Sequence, residues 1–351
     1  FNVAVGVNAG SAVTTGIHNT LIGGLAGDAL TVGHRNVAVG KDALTANVGG
    51  AKNIAIGEGS LSTFNSGTTA SDTFNTAVGH FAGGSITTGI ENVLIGGLSG
   101  DLLTDADFNV AVGKNTLTAD TLGSRSTAIG QNALSTQNFT TATNTNNTAV
   151  GFNAGTAVTT GVSNTLIGAN AGDALTDADT NVAVGADSLG ADTKGSKNTA
   201  VGHSALEAQN FTTSTLSHNT AIGADSGKAI STGVQNTLIG SGAGDALTDS
   251  DENVAVGYGA LSLDTLGQHS VAIGRNALTA QNFTTATSTA NTAVGYLAGT
   301  ELTTAVACTF IGSNAGANVT TGNTNTFVGS SAGVGITGAK LTGANNTAVG
   351  Q

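Results

Sequence analysis

Asn2-Val3-Ala4-Val5-Gly6 opens a series that ends at Asn346-Thr347-Ala348-Val349-Gly350, and the same five-residue pattern, Asn-(Thr/Val)-(Ala/Leu)-(Val/Ile)-Gly, returns about twenty times in all. Its glycines stand at Gly6, Gly23, Gly40 and Gly57, then at Gly79, Gly96, Gly113 and Gly130, and onward to Gly350. The steps between them are 17, 17 and 17, then 21 or 22, so four coils make a super-repeat of 72 or 73 residues. A fixed period of this kind marks a solenoid, in which each repeat buries its apolar face only against its neighbours. We therefore expect an all-β chain, one solenoid domain over 1–351, with four-coil super-repeats at about 1–73, 74–145, 146–217 and 218–289 and an irregular terminal group at 290–351.

Counting from the glycine as position zero, minus one is Val or Ile in every coil, as in Val5, Ile22, Val39 and Ile56, and minus three is Val, Ile or Thr. Residues two apart in a strand share a face, and a β-branched column suits a pleated surface. The opposite face carries minus two, which is Ala in most coils and Leu21, Leu94, Leu166, Leu238 or Phe310 in the second coil of each group. Both faces are apolar. The expectation is that the β-branched face lines the coil and the minus-two face turns outward against another copy of the chain.

Minus four is Asn in seventeen coils, with Ser126, Ser270 and Cys308 as the exceptions. Stacked at the strand spacing, Asn19, Asn36, Asn92, Asn164, Asn236 and their counterparts form an amide ladder at a turn. Plus four reads Gly10, Gly27, Leu44, Leu61 and then Gly83, Gly100, Leu117, Leu134, a two-coil rhythm in which glycines turn the chain and leucines plug it. A triangular hexapeptide helix fails on pattern, because Asp28 and His34 stand six and twelve residues after Ile22 where it needs apolar corners. Alternation and β-branching also disfavour helices.

Composition narrows function. The formal charge is −12 with ten Lys plus Arg, which repels nucleic acid and anionic membrane surfaces, and no apolar run approaches a membrane span. Tyr258 and Tyr296 are the only tyrosines and tryptophan is absent, so stacking platforms are scarce. The single cysteine, Cys308, can make no internal disulfide, and its place in the Asn column predicts a small buried side chain. The chain begins inside a repeat and without methionine, which predicts a segment or processed form of a longer protein.

The runs Asn147 to Gly155 and Asn291 to Gly299, each Asn-Thr-Ala-Val-Gly-x-x-Ala-Gly, resemble the repeats of trimeric autotransporter adhesin heads. Coils of this length joined through Thr14-Thr15-Gly16 and Thr159-Thr160-Gly161 look more like those of phage tail-fibre-like proteins. The resemblance covers essentially the whole chain. It implies a left-handed parallel β-roll, three chains about one axis, serving as the rigid shaft of an extracellular attachment fibre on a virion or cell surface. Any receptor would then be met through segments outside this chain. The alternatives are an adhesin head that binds a receptor or matrix protein through its lateral surface, and a self-assembling surface filament.

Chemistry has few footholds. The clusters around Asp101, Asp105 and Asp107 and around Asp173, Asp177 and Asp179 offer oxygens to a cation, but their spacing matches no calcium loop, and turn chemistry is the plainer reading. The six histidines occupy no common coil position, and no nucleophile–base grouping repeats, so we expect no catalysis and no cofactor. The runs at Gln137–Thr143, Gln209–Thr213 and Gln281–Thr287 coincide with long coils, so each marks a lateral loop in which Phe139, Phe211 and Phe283 either cap the roll or offer contacts. Thr-x-Thr occurs once in four coils, too sparsely for an ice-binding array.

Overall fold

A computed structural model describes residues 1–334 and 339–351 as two compact units, Phe1–Asp177 and Ala178–Gln351. Each is a parallel β-solenoid, about 20 turns in all, and no helix occurs among the described residues. The first unit holds ten three-residue strands, from Val3–Val5 to Thr165–Ile167, and the described residues of the second another ten, from Val182–Val184 to Thr347–Val349. Strands pair parallel with the next coil and in strict register, as in Val3↔Thr20, Ala4↔Leu21 and Val5↔Ile22, or Thr199↔Thr220, Ala200↔Ala221 and Val201↔Ile222. The first four long coils each add a two-residue strand, Ser71–Asp72, Thr143–Asn144, Thr215–Leu216 or Thr287–Ser288, paired with Gly50–Ala51, Gly123–Ser124, Gly195–Ser196 and Gly267–Gln268.

The anchor glycines are fixed by the stacking itself. Gly96 has φ +136, and a Cβ added there would lie 2.4 Å from the carbonyl oxygen of Gly113 in the next coil. Three further positions per coil turn through the left-handed region. In the fourth coil and the one after it these are Lys52 and Phe74 before the strand, Phe81 two residues after the glycine, and Leu61 four residues after it. Leucine at φ near +50, as at Leu44, Leu61, Leu117 and Leu134, costs about 1–2 kcal/mol each. All four side chains are fully buried, which offsets that cost by about 2 kcal/mol apiece.

The faces of the strand are the reverse of the sequence expectation. Minus two points inward: Leu21, Ala38, Ala55, Leu94, Ala111 and Ala128 are all 0 % exposed. The β-branched column points outward, with Ile22 39 %, Ile95 38 % and Ile129 38 % exposed. The cause is room. A Cβ on Gly10 or Gly27 would strike Leu21 Cδ1 at 2.6 Å or Cδ2 at 2.8 Å, so the plus-four glycines exist to admit the minus-two leucine. Where minus two is Ala38 or Ala55, Leu44 and Leu61 fill the space instead. A coil of 17 residues leaves an interior too narrow for a second column of β-branched side chains beside these.

Candidate assembly surface

The feature of the surface with the greatest reach is the outward β-branched ribbon. In Phe1–Asp177 it runs through Val5, Ile22, Val39, Ile56, Val78, Ile95, Val112, Ile129, Val150 and Ile167 at minus one, flanked at minus three by Val, Thr or Ile. Ten rungs at the parallel-strand spacing make an apolar stripe about 43 Å long. In Ala178–Gln351 the same ribbon includes Ile222, Ile239, Ile273 and Ile311, at 39, 37, 37 and 42 % exposed. Single exposed hydrophobics are ordinary, whereas a contiguous stripe marks a surface that another body covers.

Behind that ribbon lies the amide ladder. Asn36 donates its backbone N–H to Asn19 Oδ1 at 2.9 Å, while Asn19 Nδ2 and Asn36 Nδ2 donate to the carbonyls of Gly33 and Gly50. Asn92 and Asn236 repeat this on Asn75 and Asn219, and Asn164 N donates to Asn147 Oδ1. All are buried, so every rung satisfies a backbone group that the turn would otherwise strand. Cys308 keeps half of the role: its N–H donates to Asn291 Oδ1 and its thiol, pushed up by burial, donates to the Gly322 carbonyl at 3.3 Å.

The acidic clusters sit in turns and are hydrogen-bonded to backbone and hydroxyl groups, most of them in the neighbouring coil. Asp105 accepts from Thr88 Oγ1 and Asp107 from the Ile90 N–H, and Asp249 and Asp251 do the same with Thr232 and Val234. Asp177 accepts from Thr176 Oγ1, and the Asp179 N–H donates to Ser196 Oγ. Asp173 stands at the coil position of Asp28 and Asp101, which accept from Thr45 and Thr118. Among the described residues no group of three or more His, Cys, Asp or Glu is placed to hold a metal ion.

Phe139, Phe211 and Phe283 are each 7 % exposed, in keeping with the capping alternative rather than with lateral contacts. They fold inward over the ends of their coils because the neighbouring backbone needs covering. Thr121 Oγ1 donates to the Phe139 carbonyl, and the Phe139 N–H donates to Asp120 Oδ1 at 3.1 Å. That leaves the threonines of the loops, not the aromatic rings, on the surface.

This last bond belongs to a buried network that the motif reading missed. Gln137 Nε2 donates to Asp120 Oδ2 at 2.6 Å and to Ser126 Oγ, and Gln137 Oε1 accepts from Asn147 Nδ2. Gln137 therefore bridges the Asn ladder across Ser126, whose short side chain cannot reach the next rung. Asp264, Gln281, Ser270 and Asn291 repeat the arrangement, and Asp192, Gln209 and Asn219 repeat its Asp–Gln–Asn part, although there Asn198 Oδ1 accepts directly from the Asn219 N–H. Burial raises the Asp120 and Asp192 carboxyls above the ordinary range, against the opposing effect of the Gln and backbone donors. The signal in the sequence was Asp and Gln at the same coil position, seven residues after successive anchor glycines.

Compared with known proteins, the chain matches no protein-family model and no curated protein. Among the described residues no helix is long and apolar enough to cross a membrane.

Proposed function

We propose that this chain is the shaft of an extracellular attachment fibre, a left-handed parallel β-roll in which three copies close around their outward β-branched ribbons. The observation that carries the reading is the ribbon itself: apolar along each unit, unbroken by charge, and repeated with the period of the coil. Its mechanism is mechanical. Backbone ladders resist bending and proteolysis, and every strand edge but the terminal ones is covered by the next coil. The asparagine ladder and the acidic turns serve stacking and chain reversal, consistent with a spacer whose target is met by other segments.

Two measurements test it. Light scattering on the purified chain is expected to give three times the 33.8 kDa chain mass, and Ile95→Asp with Ile129→Asp, which leave the coil interior untouched, are expected to dissociate it. A folded, soluble wild-type monomer overturns the assembly. For the spacer role, deleting Gly79 through Val150 joins matching coils and should shorten the fibre by about four strand spacings, roughly 19 Å, with attachment retained. Loss of attachment by a shortened but intact trimer overturns the shaft in favour of a binding head.

A further inference from the structure

The repeat breaks its own surface rule at one place in the second unit. Two residues after the anchor glycine most coils set a side chain, and in Phe1–Asp177 four of these form a ladder: Asn115 Nδ2 to Asn132 Oδ1 at 3.4 Å, Asn132 Nδ2 to Asn153 Oδ1 at 3.1 Å, and Asn153 Nδ2 to Asn170 Oδ1 at 3.4 Å. Gly59 also falls in this column, but the Phe81 ring lies over it, 2.6 Å from where a Cβ would stand. In the second unit the column reads Asp225, Gly242, Gly259, Asn276. Two consecutive coils carry no side chain of their own in this column, and a notch of about 400 Å³ opens between the flanking side chains. The backbones of the Asp225 and Asn276 coils are three strand spacings apart, about 14 Å.

The notch is equipped on every side. Asp245 Oδ2 lies 3.6 Å from the position of a Cβ on Gly242, and Asn276 Oδ1 lies 2.6 Å from that on Gly259, so a carboxylate and an amide reach across bare backbone. Ser241 and Ser262 add hydroxyls, Asp225 closes one end, and Tyr258, 61 % exposed, forms a rim. Arg275 stands over the Tyr258 ring, 5.7 Å from its centroid. Asp225 is already paired with Lys228 Nζ at 3.1 Å. Asp245 Oδ1 is buried with no hydrogen-bond partner among the described residues, while Oδ2 is the oxygen that faces the bare backbone of Gly242.

We propose that this notch binds a single pyranose unit of a carbohydrate. A sugar ring both donates and accepts at neighbouring hydroxyls, which matches a lining of carboxylate and amide oxygens, an amide N–H₂ and two hydroxyls. Its C–H face suits the exposed tyrosine, and glycine backbone permits the close approach that a shallow site requires. Anionic ligands meet two carboxylates and are repelled. A bare cation meets two carboxylates that share Lys228 and too few further ligands. All of the lining comes from one chain and one unit, so the site does not depend on the assembly proposed above.

The test is saturation-transfer NMR on the intact chain with the methyl glycosides of glucose, galactose, mannose and N-acetylglucosamine at millimolar concentration. Transfer to at least one glycoside is expected. It should fall about fivefold or more in Tyr258→Ala and in Gly242→Asn. The latter restores the column's own residue type at φ +62, a conformation asparagine adopts readily. Tyr296→Ala, at the same coil position as Tyr258 but outside the notch, should leave transfer unchanged, and circular dichroism confirms that each variant folds. Absence of transfer to every glycoside, undiminished transfer in Gly242→Asn, or transfer only to N-acetyl-lysinamide overturns the proposal.

Discussion

The long coils at 58–78 and at 131–150, both inside Phe1–Asp177, close over the same interior position with opposite chemistry. In the first, Asn47 and Phe64 fill it: Asn47 exchanges two hydrogen bonds with Gly50, and Phe64 is 0 % exposed. In the second, Asp120, Gln137 and Phe139 fill it, with the carboxylate taking donors from Gln137, Gly123 and Phe139. The ladder follows suit. Asn53 carries it unaided to Asn75 in the first, whereas Ser126 needs Gln137 to reach Asn147 in the second. A buried polar network and a buried ring are thus interchangeable solutions, provided that each is complete, because a half-satisfied network is worse than either.

Removing the apolar solution should have the largest effect. Phe64→Ala opens a cavity beside Asn47, whose amide is already committed to Gly50, and is expected to cost about 3–5 kcal/mol, read as a loss of melting temperature by circular dichroism. An effect below about 1 kcal/mol would mean that the loop collapses onto the gap and that the two solutions are not equivalent. Gln137→Ala should cost less, about 2–3 kcal/mol, by leaving Asp120 Oδ2 without its amide donor and breaking the bridge at Ser126. If Gln137→Ala is neutral, the network is ornament and only Phe139 closes the second coil.

Much of this architecture was legible from the columns. Asn at minus four, Gly at zero and the Gly-Gly-Leu-Leu rhythm at plus four located the turns, the strand and the plugs, since each residue type there has one cheap role. Which face of the strand turns inward was not legible, because both faces are apolar and β-branching speaks for a strand without naming its side. The deciding fact is steric and lies between coils: Gly10 and Gly27 yield to Leu21. Nor were the left-handed turns at Lys52, Phe74 and Leu61 readable, since those residue types do not announce positive φ and are held there by stacking. The Asp120–Gln137 pair escaped because its members are 17 residues apart, although aligned coils place them one above the other.

A smaller effect is expected when one solution replaces the other whole. Substituting residues 41–78 for 114–150 moves both coils of a pair together. They must travel together, because a Cβ on Gly49, where the second pair has Leu122, would lie 2.6 Å from the Gly67 carbonyl. Interchange of complete buried networks and apolar packing is often neutral, so the swapped chain should melt within about 1 kcal/mol of the parent. A large loss would show that neighbouring coils read the difference, and that the super-repeats are not independent modules.

The smallest effect, and the sharpest test of what the polar solution does, lies in pH dependence. Burial raises the folded-state titration of Asp120 and Asp192 above the ordinary carboxylate value, and the groups that hold them, the Gln amides and backbone N–H groups, are neutral. With the folded value raised, the folded chain binds more protons than the unfolded chain in the window between the two values. The stability these groups contribute is therefore fully present below the ordinary carboxylate range and is lost as pH rises through the raised folded value. Asn47, an amide at the same coil position, has no such dependence. A chain in which 41–78 replaces both 114–150 and 186–222 should accordingly show a flatter melting temperature between neutral and mildly acidic pH than the parent, whose stability relative to it should rise on acidification. Parallel curves for the two chains would mean that the three neutral donors fully compensate the buried charge, and that the polar coil pair differs from the apolar one in shape alone.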